Sequence, residues 1–346
     1  MLRRALFFAA LSCILYCPER SLADDMDLEL ARLRVPPGKG GCPAGGPFCP
    51  NDEAFERLVS DLGVGVAPAV DGGAASLGLR GFSIELSMSF TPISGRHWIL
   101  GSAGPDAATH AFNPSPDGML TWNRLEVRKG LPFGLEVGGV VGHGLDTSLW
   151  LLAGEVRAAL FEGYRSGLGA LPDVAVRAVF QALVGSPQLS LHTWSFDVTL
   201  SKPYVVAGRH RLTPLLALQA LMVNAETLPI DLTPDESAWD SCGQPAPTAP
   251  PSSDDPDEPP VLPAGAACAP PMAAQDLQNT QRFADVHQTR IRVFLGIEER
   301  YGSFSSGLSL GLDLIVPQRH ADTMGDGVDS ELRRALTLHF VVGVRY

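Results

Sequence analysis

The chain has 346 residues, a formal net charge of −12 and a mean hydropathy of +0.10. Its acidic balance, with only Lys39, Lys129 and Lys202 as lysines, excludes the basic stripe that a nucleic-acid partner requires. No run beyond the amino terminus approaches the roughly 18 uninterrupted apolar residues of a transmembrane helix.

Residues 1–23 read as a signal peptide. Arg3 and Arg4 supply the positive region, Ala5 to Tyr16 the short apolar core, and Ser21-Leu22-Ala23 a small-x-small cleavage site. Its removal takes away three arginines and one glutamate, leaving −14. Cys13 and Cys17 leave with it, and Cys42, Cys49, Cys242 and Cys268 remain. Four cysteines allow three pairings, and an oxidising compartment permits the local one, Cys42–Cys49 with Cys242–Cys268. Neither pair has the Cys-x₂-Cys spacing of a zinc site. No metal or other cofactor is expected.

Residues 24–73 form a leader, Gly/Pro-rich up to Pro50. Asn51 is placed to cap a short amphipathic helix carrying Phe55, Leu58, Val59 and Leu62 and ending at Gly63. The expectation is a helix packed on the body of the protein. The alternative is a plug in the periplasmic mouth of a barrel.

Residues 74–346 carry a repeated period of two. Phe82, Ile84, Leu86, Met88 and Phe90 alternate with serines and Glu85. Leu125 and Val127 alternate with Arg124, Glu126 and Arg128, then a turn at Lys129–Pro132 leads to Phe133, Leu135, Val137 and Val141 opposite Glu136. A fourth strand, Leu149 to Phe161, sets Glu155 and Arg157 against Trp150, Leu152 and Val156. The fifth, Asp173 to Leu183, carries Arg177 on its polar face. The sixth sets Asp197 against His192, Trp194, Phe196, Val198 and Leu200. Arg211 to Asn224 has leucines on both faces, so a buried helix competes with a strand there. Residues 225–285 form a long Pro/Asp-rich loop. Alternation resumes with Arg290, Arg292, Glu298 and Arg300 opposite Ile291, Val293, Leu295 and Ile297, and a strand over Phe304 to Leu314 follows.

The last strand, Arg334 to Tyr346, alternates Leu336, Leu338, Phe340, Val342, Val344 and Tyr346 with mostly polar positions and stops on an aromatic residue. This pattern resembles the closing strand of Gram-negative bacterial outer-membrane β-barrel proteins. The resemblance is architectural and names no narrower family. It implies an all-β fold: an antiparallel transmembrane barrel of about ten strands (range 8–12), with a short amino-terminal helix and long external loops. It also implies outer-membrane lipid and the barrel-assembly machinery as partners, with Phe340 and Tyr346 in the insertion signal. An even strand count places both termini in the periplasm. Inside such a barrel Glu85, Arg124, Glu126, Arg128, Glu136, Glu155, Arg157, Arg177, Asp197, Arg290, Arg292, Glu298 and Arg300 are the candidates to line the lumen, as a mutually paired network or as the wall of a small pore.

The first functional expectation is a narrow passive channel or uptake barrel for small solutes. The second is a structural or surface-interaction barrel acting through its long loop. Catalysis is not expected. Ser190 and His192 share a face, as a lipid hydrolase would require, but no acid can be assigned to them. His143 and Asp146 in a short loop only hint at a protease. Asp322, Asp326, Asp329 and Glu331 do not have EF-hand spacing, and Asp254, Asp255, Asp257 and Glu258 read as an acidic loop.

Overall fold

The structure, a computed structural model, describes residues 24–93, 95–104, 112–162, 171–234, 279–315 and 335–346. Residues 1–23, expected to be a signal peptide, Cys242, Cys268 and the acidic residues of both long loops lie outside them. Ten strands follow one another around a single sheet. They are β1 (Phe82–Pro92), β2 (Met119–Gly130), β3 (Leu135–Gly144), β4 (Trp150–Phe161), β5 (Asp173–Val184), β6 (Leu189–Ser201), β7 (His210–Thr227), β8 (Val286–Tyr301), β9 (Phe304–Ile315) and β10 (Leu336–Arg345). Each is antiparallel to the next, and β10 pairs with β1 from Leu338↔Phe90 to Arg345↔Ser83, which closes the sheet. All ten are long enough to cross a bilayer at a tilt.

Period two determines which side of the wall each residue takes. Leu152, Val156, Phe196, Leu218, Leu295, Phe340 and Val342 all face outward and are about half exposed. A soluble domain rarely leaves such a contiguous apolar surface open to water. In a barrel it is the surface that meets lipid. The inward face is buried and, through the middle of the barrel, charged.

The two ends differ. At one, Phe82 and Tyr346 exchange backbone hydrogen bonds of 3.0 and 2.8 Å, and the connections 131–134, 162–172, 202–209 and 302–303 are mostly short. At the other lie the connections 93–118, 228–285 and 316–335, with two tight ones beside them. We call these the turn end and the loop end.

Helix α1 (Asp52–Val66) begins as the sequence indicates, with Asn51 Oδ1 accepting from the Ala54 N–H at 3.0 Å. It does not lie on the outside of the body. It sits in the mouth at the loop end, where Phe55, Leu58, Val59, Leu62 and Val66 pack against Trp122, Leu151, Leu191, Leu221, Val223 and Phe283. Helix α1 also continues past Gly63, because that glycine marks a close approach rather than a stop. A Cβ at Gly63 would lie 2.6 Å from Val223 Cγ1. The same packing explains the double-sided leucines of β7. Leu221 and Val223 face the plug while Leu216 and Leu218 face outward, so the segment is a strand and not a buried helix.

Cys42 and Cys49 form a disulfide with Cα atoms 5.7 Å apart, beside the short pairing of Arg34–Val35 with Cys49–Pro50. This part of the leader stays at the loop end. Met26 N donates to Asp146 O at 2.9 Å, and Ser148 N donates to Asp27 Oδ1 at 2.6 Å. Residue 24 and Tyr346 therefore lie at opposite ends of the barrel. The expectation placed both termini in the periplasm; among the described residues, the first and the last lie at opposite ends of the barrel. The strand count does bring the start of β1 and the end of β10 together, but the leader runs back through the lumen before β1 begins.

Candidate functional site

Ten strands about 4.8 Å apart and tilted about 40° enclose a backbone cylinder roughly 20 Å across. After inward side chains are subtracted, that leaves room for one further extended chain. Residues 67–81, here called the strut, supply it. Pro68 stops α1 by removing an N–H and driving Ala67 to an extended conformation (φ −51°, ψ 144°). Ala67 to Ala74 are then all buried, and their side chains are small. At Gly73 even a methyl group would sit 2.8 Å from Thr213 Cγ2.

The wall holds the strut largely by its backbone. Arg124 donates to the carbonyls of Gly65, Val66 and Ala67 at 3.0–3.1 Å. It thereby caps the carboxyl end of α1, where unpaired carbonyls and the helix dipole both favour a cation. Gln219 donates to Pro68 O at 2.9 Å, Arg177 to Ala69 O at 2.7 Å, and Arg157 to Gly73 O. Glu298 accepts from Gly73 N at 2.7 Å and Ser201 from Ala74 N at 2.6 Å. Glu162 and Glu136 accept from the N–H groups of Ser76 and Leu77. Every one of these contacts removes a buried polar group from the unpaired state, which would cost about 1–3 kcal/mol apiece.

The remaining charges pair within the wall or reach the strut and α1. Arg128 reaches Asp71 of the strut at 3.2 Å and Glu85 at 2.5 Å, and contacts Glu126. Arg345 joins Glu85 at 2.6 Å to Glu298 at 2.5 Å. Arg177 bridges Asp197 at 2.7 Å and Glu155 at 3.4 Å. Arg290 contacts Asp313 and Ser60 of α1, while Arg292 lies 3.1 Å from Asp313 and 2.8 Å from Thr337. Asp71, Glu85 and Glu126 bring carboxylate oxygens within 4.8 Å of one another, a donor set that would suit a cation. The Arg128 guanidinium already occupies that role.

Of the thirteen residues singled out for the lumen, twelve are buried on the inner face and Arg300 is half-buried near the turn end. The structure adds Asp71, Gln219, Asp313 and Arg345. Asp313 and Arg345 stand at polar positions of the same alternation. Asp71 lies in a stretch without period, and only Pro68 and the run of small residues after it mark that stretch in the sequence.

Ser190 and His192 face outward near the loop end. Asn224 is opposite His192 in register, but its Oδ1 is taken by His287 Nδ1 at 2.8 Å. His143 packs edge-on against Trp150, and the backbone carbonyl of Asp146 accepts from Met26 N. Outside the strands, Asp24 and Asp117 have carboxyl groups raised above the ordinary range, first by burial and then by neighbouring aspartates including Asp146.

No protein-family model matches the chain, and no curated protein does. Solved structures do. The N-terminal β-barrel domain of Pseudomonas aeruginosa OprF is 8% identical, with 78% of this chain and 99% of that one covered at a TM-score of 0.28. Ail, the attachment invasion locus protein of Yersinia pestis, is 9% identical over 78% and 99%, at 0.25. The translocator domain of autotransporter NalP from Neisseria meningitidis is 7% identical over 85% and 94%, at 0.30. The fold is a closed antiparallel barrel of ten strands, which this chain's own strand pairings show. The details of the lumen rest on this chain's own residues.

Proposed function

We propose that the protein is an integral outer-membrane barrel closed by its own leader, acting as a structural or surface-interaction element rather than as a passive channel. The observation that carries this reading is the strut, which fills the lumen from the mouth holding α1 to the start of β1. The turn end, with Tyr346, faces the periplasm. The loop end faces outward and carries a cap of leader, α1 and loop segments, the leader stapled within itself by the Cys42–Cys49 disulfide. Lipid contacts the apolar belt, and the barrel-assembly machinery recognises β10 through Phe340 and Tyr346. No catalytic role is assigned to Ser190 and His192.

Single-channel recording on the refolded full-length protein tests this reading. The expected result is a silent bilayer. Stable unitary steps would restore the channel reading.

A further inference from the structure

We infer that the lumen is a track for an extended polypeptide backbone, and that through it the barrel places its own amino-terminal region on the cell surface, opposite Tyr346. The inference rests on the membrane orientation proposed above.

The wall contacts the strut in a way that takes little account of side chains. Arg124, Arg157, Arg177 and Gln219 donate to carbonyl oxygens, while Glu298 and Ser201 accept from N–H groups. Among Ala67 to Ala74 only Asp71 pairs through its own side chain, with Arg128. A site built this way holds an extended chain whose side chains are small.

The length is sufficient. Residues 67–81 can extend to roughly 50 Å at about 3.3 Å per residue. Strands of eleven or so residues tilted about 40° rise only about 28 Å. The strut runs from mid-wall, where Arg124 and Gln219 hold its start below α1, to the turn end, with slack left for its exit at Phe82.

Direction follows from what lies at each end. Upstream of the strut, the disulfide-stapled leader sits at the loop end, and α1 runs from there to mid-wall, where Arg124 holds its last carbonyls. Together they are too bulky to pass a lumen that admits one extended chain. They must therefore cross unfolded, or be enclosed as the sheet closes, before they dock. Either route leaves the leader on the far face as a displayed element.

The three lysines are natural reporters of this arrangement. Lys39 is exposed in the leader. Lys129 and Lys202 lie at the turn end, Lys129 with its ammonium on the Leu79 and Gly81 carbonyls. A membrane-impermeant amine reagent is applied to intact cells carrying the unmodified chain, with a periplasmic protein as the control for leakage, and labelled peptides are mapped by mass. Lys39 is expected to be labelled on intact cells, and Lys129 and Lys202 only after the outer membrane is permeabilised. Protection of Lys39 on intact cells, or labelling of all three together while the periplasmic control stays unlabelled, would overturn the inference. Because the recording reports only whether the lumen conducts, a silent bilayer with a protected Lys39 would defeat the display of the leader and leave the plugged barrel standing.

Discussion

Deleting residues 24–76 is expected to turn a silent barrel into one that conducts in steady single-channel steps. The wall is built around the strut, and its removal frees a central path through a cylinder roughly 20 Å across at the backbone. Arg124, Arg157, Arg177 and Gln219 would then project into water instead of onto carbonyls. Both signs of charge line the freed path, so the steps should show weak ion selectivity. The apolar collar of Trp122, Leu151, Leu191, Leu221 and Val223 would be left without α1, which favours brief closures by dewetting at that mouth. A difference in gel mobility between unheated and boiled samples would establish that the shortened chain still forms a barrel. A folded but silent deletion variant would mean that the wall itself closes the lumen.

Replacing Arg128 by Met should be the most damaging single change in the interior. Arg128 is the counter-charge shared by Asp71 of the strut, Glu85 of β1 and Glu126 of its own strand, with Glu155 at 3.5 Å. Its loss leaves carboxylates buried together without that partner. Breaking a buried pair on one side typically costs about 3–5 kcal/mol, because the stranded charge keeps its desolvation penalty. The loss should appear as a lowered unfolding midpoint in urea for the refolded protein in micelles. Asp71→Asn on the same background should recover part of it, since one stranded charge is then removed. Equal stability of Arg128→Met and the parent would show that the network is not what holds the strut.

The barrel itself was legible because lipid outside and polar groups inside impose a strict alternation, and β1, β8 and β10 display it openly. Twelve of the inward charges follow from that alternation alone. The contents of the lumen were not legible. A strut fixed through its backbone needs no pattern of its own side chains, so Ala67 to Ala74 look like a featureless linker. Helix α1 showed its apolar face clearly, but amphipathicity reports only that a face is covered and not by what. Its burial in the mouth depends on inward leucines of β4, β6 and β7, which in β7 instead read as a possible helix. The end of the barrel reached by the leader was hidden in the same way. Strand parity fixes where β1 and β10 meet and says nothing of a chain that turns back through the barrel.

The most direct test of the account is a covalent link between the leader and the inner wall. A Cβ built at Gly65 lies 3.4 Å from the Cβ of Leu120 on β2, close to the separation a disulfide requires. The account predicts that the variant carrying Gly65→Cys and Leu120→Cys forms this bond in the membrane-inserted protein, identified by mass mapping of the linked peptides. Free thiols at both positions, open to a bulky reagent in a barrel that still shows the heat-dependent mobility shift, would contradict it.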